Sequence, residues 1–136
     1  MKLKFMVAVM AAFAFVFSAC GSKDAGNKQL VLYYSQTGST KVVAEEIQKM
    51  LDADIELIEL ENPYTGTYAE TLERVKQERE SGNLPALKPL KADLSKYEVI
   101  YLGYPIWFGT YALPIASLVK DHDFEGKKIV PFCTFG

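Results

Sequence analysis

Gln29-Leu30-Val31-Leu32-Tyr33-Tyr34-Ser35 runs directly into Gln36-Thr37-Gly38-Ser39-Thr40, and this junction decides the fold. The first seven residues form a compact apolar run rich in β-forming side chains, which reads as a strand. Beyond the polar turn, Val42, Val43, Ile47, Met50 and Leu51 recur at helical spacing, with Glu45, Glu46, Gln48 and Lys49 between them. Strand, glycine-bearing turn and amphipathic helix are the opening of a βα unit. Working outward, Ile55-Glu56-Leu57-Ile58-Glu59-Leu60 alternates with the period of an edge strand. Asn62-Pro63-Tyr64-Thr65-Gly66 breaks the chain, Thr67 to Ser81 reads as a charged helix, and Gly82-Asn83 can stop it.

Val99-Ile100-Tyr101-Leu102-Gly103-Tyr104 suits a strand buried on both faces, which Pro105 is expected to end. Ala112 to Lys120 can form a helix with Pro114 in its first turn. Lys128-Ile129-Val130-Pro131-Phe132-Cys133 is the last strand candidate. Strands alternating with helices imply an α/β domain over residues 29–136, with a parallel sheet and right-handed crossovers.

In such sheets a ligand binds beyond the carboxyl ends of the strands, where neighbouring connections leave in opposite directions. Three loops fall there. In Ser35-Gln36-Thr37-Gly38-Ser39-Thr40 the free N–H groups of a helix start attract a phosphate, and four hydroxyls surround the position. Gly38 lets the backbone bend close to a ligand. The alternative is a polar turn with a Ser or Thr helix cap. Tyr104-Pro105-Ile106-Trp107-Phe108-Gly109-Thr110-Tyr111 is aromatic where loops are usually polar. A flat aromatic ligand gains from such a wall, since offset stacking adds roughly 0.5–1.5 kcal/mol beyond area burial. The alternative is a loop folded into the core. The third loop is Thr134-Phe135-Gly136.

The three loops together resemble those of the flavodoxin-like family. Ser-Gln-Thr-Gly-Ser-Thr at residues 35–40 is similar to the family's phosphate loop for flavin mononucleotide (FMN). Gly103 to Thr110 resembles the flavin-side loop of a bacterial flavodoxin-like group, and Pro131 to Gly136 the start of that group's third loop. Asp93-Leu94 with Tyr97, and Phe124-Glu125-Gly126-Lys127, resemble its strand approaches. The resemblance implies a doubly wound parallel sheet in three α/β/α layers, with FMN at the switch between the first and third strands. It assigns Ser35, Thr37, Gly38, Ser39 and Thr40 to the phosphate, with Gln36 offering mainly its backbone. It sets Pro105, Ile106, Trp107, Phe108 and Gly109 beside the isoalloxazine ring, Trp107 foremost, and Thr134, Phe135 and Gly136 toward its far edge. Phe108 stands where the group often has a second Trp. The strand order it implies is 2-1-3-4, with a fifth strand missing, so a C-terminally truncated domain is expected.

Redox work follows from that resemblance. FMN takes one or two electrons, and the protein sets the cost of each state. A dry aromatic pocket with acidic surroundings disfavours an anionic reduced flavin and lowers its potential. The leading expectation is an electron carrier serving a protein partner or a small-molecule acceptor, with no catalytic side chain of its own. The alternatives are an NAD(P)H-dependent flavin oxidoreductase or quinone reductase, and a cofactor-free scaffold.

Composition narrows the partners. The formal charge is −2, and without Lys2 and Lys4 thirteen basic residues face seventeen acidic ones. An acidic body argues against nucleic acid. The two cysteines, Cys20 and Cys133, lie far apart, and His122 is the one histidine, which argues against a zinc site. His122, in Lys120-Asp121-His122-Asp123, reads as a solvated surface residue and not as part of a hydrolytic triad.

The first residues form an address. Met1-Lys2-Leu3-Lys4 is basic, Phe5 to Phe17 is apolar without a charge, and Ser18-Ala19-Cys20 closes the segment. These are the parts of a secretory signal over residues 1–19. The apolar run is shorter than the about 20 residues that span a bilayer. Cysteine after small residues resembles the lipobox of bacterial lipoproteins, with Phe17 where Leu is usual. The resemblance implies a lipidated Cys20, a polar tether over residues 20–28, and export to the outer side of a membrane. An ordinary signal peptide or an uncleaved anchor is the alternative. Cys20→Ala is expected to abolish incorporation of labelled fatty acid and membrane association; continued labelling would place the lipid elsewhere.

Overall fold

The structure is a computed structural model and describes residues 28–136. The leader, Cys20 and the tether up to residue 27 lie outside the described residues. Five strands and three helices follow one another as β1 (Gln29–Tyr33), α1 (Ser39–Leu51), β2 (Asp54–Leu57), α2 (Tyr68–Ser81), β3 (Val99–Trp107), β4 (Thr110–Tyr111), α3 (Leu113–Asp121) and β5 (Lys128–Thr134). β1 lies between β2 and β3, and β5 flanks β3 on the far side, all parallel. Counted among themselves, these four strands take the expected 2-1-3-4 order. The two-residue β4 was not anticipated; it folds back antiparallel on the end of β3, making the chain-order numbering 2-1-3-5.

Alternation along β1 builds the three layers. Leu30 and Leu32 point to a core shared with Val75 of α2 and with Ile115 and Leu118 of α3. Val31 and Tyr33 point the other way, to a smaller core with Ala44 of α1 and Ala53. Val31, Leu32 and Ile100 have no exposed surface, as the centre of a doubly covered parallel sheet requires. On α1 the buried stripe is Thr40, Ala44, Ile47 and Leu51, while Val42 and Met50 face water.

Several boundaries differ from the sequence expectation. Pro105 does not end β3, which continues to Trp107. The ladder between β1 and β3 stops at Tyr33 and Gly103, so the missing N–H of Pro105 falls on a side that β1 has already left. Its carbonyl, on that same side, accepts from Ala112 N at 3.2 Å. β2 ends at Leu57, and Leu60 forms only an isolated bridge with Leu87. The third helix begins at Leu113 and runs to Asp121, with Ala112 as its cap.

Gly103 sits in the middle of β3 opposite Phe132 of β5. A Cβ at Gly103 would collide with the Phe132 ring, so the ring fills the space a side chain would take. Gly103→Ala is expected to cost about 1–3 kcal/mol in equilibrium denaturation, the usual range for overpacking. In a Phe132→Ala background most of that cost is expected to vanish; an equal cost in both backgrounds would locate the strain elsewhere.

Candidate functional site

The cleft forms where β3 outlasts β1. Beyond Tyr33 the chain turns into α1, while β3 continues and then reverses into β4. Gln36, Thr37 and Thr40 line one end of a cleft of about 470 Å³, and Pro105, Ile106, Trp107 and Phe108 line the other. Thr134 of β5 joins them, its hydroxyl 2.8 Å from that of Thr40. That bond ties the first loop to the third, and it satisfies a Thr40 side chain that is otherwise buried.

The first loop is built to leave donors unspent. Gly38 caps α1 in the left-handed region at φ +100°, a conformation glycine adopts without penalty. Gly38 itself offers no capping side chain, and no acid stands in the first turn of α1. Ser35 Oγ accepts from Gly38 N at 3.1 Å and from Lys41 N at 3.3 Å, which bends the loop around it and leaves its own proton to donate. Among the described residues, nothing bonds the hydroxyl or N–H of Thr37 or Ser39. A helix start with free donors and no nearby carboxylate favours an anion.

The second loop is a tight hairpin. Trp107 pairs with Thr110, and Phe108 and Gly109 between them both have positive φ, +51° and +74°. Two left-handed central residues make the turn whose twist matches that of paired strands. Phe108 is a poor residue for that geometry, since its Cβ crowds the next carbonyl. The strained turn holds its ring half in solvent, 5.1 Å beneath the Arg79 guanidinium. Trp107 is held from behind: it meets Tyr34 and Tyr64 edge-on, with centroids 5.7 and 5.4 Å away.

A fourth wall comes from α2. Gly66, Tyr68, Thr71, Leu72 and Val75 line the cleft, the helical members at the spacing of a single face. This wall was missed in the sequence, where Thr67 to Ser81 reads only as a charged helix. Its signal was Thr67-x-x-Glu70. Glu70 Oε2 accepts from Thr67 N at 2.6 Å, and Thr67 Oγ1 accepts from Glu70 N at 3.3 Å, a reciprocal cap that fixes where the helix starts. The Thr67 N–H, with the Thr67 hydroxyl donating to the same oxygen at 2.7 Å, holds the Glu70 carboxyl below its ordinary range. At Gly66, with φ +96°, any side chain would meet that carboxylate.

Not every expected site residue reaches the cleft. Ser35, Gly38 and Ser39 shape the first loop from behind or beside it, and Gly109 completes the hairpin turn. Phe135 and Gly136 lie beyond the lining, and Phe135 is 86% exposed. The Gln36 side chain turns away from the anion end, accepting from the Tyr34 hydroxyl and donating to the Tyr64 carbonyl at 3.0 Å. Burial raises both phenols, Tyr34 and Tyr64, above the ordinary tyrosine range; a bond to Glu78 adds to the shift at Tyr64. Among the described residues no group of three His, Cys, Asp or Glu side chains could hold a metal ion.

Comparisons with known proteins agree with this architecture. The family model described as flavodoxin matches residues 28–136. A candidate flavoprotein from Bacteroides eggerthii is 32% identical, with a TM-score of 0.73 over 82% of this chain and 72% of its own. A flavoprotein from Lactobacillus acidophilus, solved in complex with FMN, is 25% identical, with a TM-score of 0.74 over 82% of this chain and 76% of its own. No curated protein matches.

Phe108→Asn is expected to stabilise the hairpin by about 1 kcal/mol, because Asn tolerates the left-handed region that Phe does not. Denaturant unfolding of the purified protein measures it. A loss of stability would mean that the ring's contact with Arg79 outweighs the backbone strain.

Proposed function

The chain belongs to the flavodoxin family, and on that premise we propose that it is an FMN-binding redox protein passing electrons through the bound flavin. The observation that carries this reading is the cleft itself, with unspent hydroxyl and N–H donors at one end and aromatic and apolar walls at the other. Its volume is within the range of small-ligand pockets, about 300–1,000 Å³.

The residues present fit the group. Thr37 and the start of α1 would hold the phosphate, with Ser35 and Ser39 in the loop beside them and the Thr40 hydroxyl already tied to Thr134, and no acid stands in the first turn of α1. Trp107, Phe108, Pro105 and Ile106, with Tyr68 and Leu72 from α2, would border the ring and exclude water from it. Thr134 would approach from β5. When bound, FMN supplies one- or two-electron chemistry. The protein's part is to bind, orient and desolvate, and no side chain at the cleft is placed as an acid or base.

The donor and acceptor divide two versions of this reading. A membrane-tethered carrier, anchored through Cys20, serves a redox protein partner. The second version is a small-molecule oxidoreductase using reduced nicotinamide and a quinone-like acceptor, and the half-exposed Phe108 and largely exposed Tyr68 at the cleft favour it, since a flat ring could settle there. Nicotinamide-dependent quinone reduction by the flavin-loaded protein separates the two. A colourless protein that takes up no flavin would support a scaffold instead.

Thr37→Val is expected to weaken FMN binding by about 1–3 kcal/mol, the usual loss for a hydrogen bond to a charged group. Riboflavin, which lacks the phosphate, is expected to be nearly indifferent. Equal losses for the two ligands in parallel titrations would remove the phosphate from this loop.

A further inference from the structure

Trp107 has two phenols behind it, and they differ in what they can do with a proton. The Tyr64 ring meets Trp107 edge-on with centroids 5.4 Å apart, and the Tyr34 ring does so at 5.7 Å. Spacings of this size put ring edges in contact. The Tyr64 hydroxyl donates to Glu78 Oε2, a carboxylate on α2. The Tyr34 hydroxyl donates to Gln36 Oε1, an amide. A carboxylate can take the proton outright, whereas an amide oxygen only accepts the hydrogen bond. The Tyr64 pair is held in place by Arg74. Its guanidinium donates to Glu78 Oε1 at 2.9 Å, lies 4.3 Å over the Tyr64 ring, and donates to the Pro63 and Asn62 carbonyls at 3.0 and 2.9 Å.

The two sides of Trp107 open into different spaces. Trp107 lines the cleft and is half-buried there. Tyr64 and Tyr34 line a second cavity of about 220 Å³, and of the residues lining the two spaces only Gln36 is shared. A ring that loses an electron becomes strongly acidic at its polar hydrogen. Oxidation of a phenol is therefore eased where a base already accepts its hydrogen bond. Tyr64 meets that condition and Tyr34 does not. Burial, and after it the bond to Glu78, hold the Tyr64 phenol protonated well above the ordinary tyrosine range, so its resting form is the phenol.

We propose that Tyr64 and Glu78 form a proton-coupled electron relay that clears a one-electron oxidation of Trp107 from the cleft. Trp107 gives one electron from its indole to an oxidant at the cleft, which is an oxygen-centred radical or, resting on the FMN reading, a light-excited flavin. One electron then passes from the Tyr64 ring to the indole radical cation, while the phenolic proton passes to Glu78 Oε2. The products are neutral Trp107, a neutral tyrosyl radical and a protonated Glu78 carboxyl. A small reductant of the thiolate or enediol class in the second cavity returns one electron, Glu78 returns the proton, and the phenol is restored. The cleft keeps its aromatic wall, and the radical is spent outside it.

The test needs no flavin. Azide radicals, made by pulse radiolysis in a solution of the full chain, oxidise indole in preference to phenol, and Trp107 is the one tryptophan beside eight tyrosines. In the wild type, the visible band of the tryptophan radical is expected to decay as the narrower tyrosyl band grows. The growth is expected to be independent of protein concentration and slower in heavy water. Tyr34→Phe is expected to keep this growth phase, and Tyr64→Phe to lose it. Glu78→Gln, which keeps an acceptor but removes the base, is expected to slow it about a hundredfold, the lower end of what a positioned base contributes. Decay of the tryptophan radical with no tyrosyl growth in the wild type, which needs no variant to be folded, would overturn the relay. Growth that persists in Tyr64→Phe, or that disappears in Tyr34→Phe, would place the oxidation on another tyrosine. An unchanged rate in Glu78→Gln would remove the proton acceptor and with it the relay. Flavin absorbance of the purified protein reads the FMN proposal separately, so either can fail while the other stands.

Discussion

The parallel ladder between β1 and β3 is registered from Gln29 opposite Val99 to Tyr33 opposite Gly103, and it stops there. Tyr34 N still reaches the Gly103 carbonyl, at 2.9 Å, before the first chain turns away into α1. β3 continues for four more residues, with β5 beside it as far as Pro105 and β4 folded back along the side that β1 has left. The cleft opens at this divergence, and a shorter β3 would remove its aromatic wall. The left-handed Gly38 and the extended Pro105 matter because each belongs to a strand end that has to diverge from the other. Pro105 is tolerated for the same reason, since β1 has left that side and the Ala112 carbonyl, the neighbour there, accepts from Ile115 N instead.

Much of this was legible in the sequence because the informative signals are local. The continuous apolar run of Leu30 to Tyr33, the helical stripe that follows, and the switch of composition at Ser35 and at Tyr104 each depend on neighbouring residues. Those segments form a strand, a helix and two loops that line the cleft. The illegible parts depend on partners distant in the chain. Pro105 reads as a stop unless β1 is known to have left. Thr67 to Ser81 reads as a charged helix, because only Leu72 and Val75 betray its inner face, and Tyr68 and Thr71 become cleft residues through a loop whose path the pattern does not show. Val42 and Met50 carry helical periodicity but lie on the solvent side of α1, where apolar residues are common enough to mislead. Gln36 is similar: its neighbours mark it as part of a phosphate loop, whereas its side chain serves Tyr34 and Tyr64.

The two helix starts at the cleft are built on opposite electrostatic plans. At α2, Glu70 folds back onto the first turn, consumes the orphan N–H of Thr67, and neutralises the positive end of the helix dipole. At α1 there is no acid in the first turn, Gly38 sets the turn without a side chain, and the neutral Ser35 hydroxyl takes the Lys41 N–H. Both starts border the same space, through Thr37 and Thr40 on one side and Gly66 and Tyr68 on the other. An anion entering the cleft therefore meets one attractive helix end and one already satisfied. On the proposed reading, that difference would orient an asymmetric ligand, its charged group toward Thr37 and the start of α1 and its apolar body against the walls formed by Trp107, Phe108 and Leu72. Two equally bare helix ends would hold the anion in either of two places, and the aromatic wall would then have to select the orientation alone. With Glu70 in the cap of α2, the proposed anion site is left to one helix end.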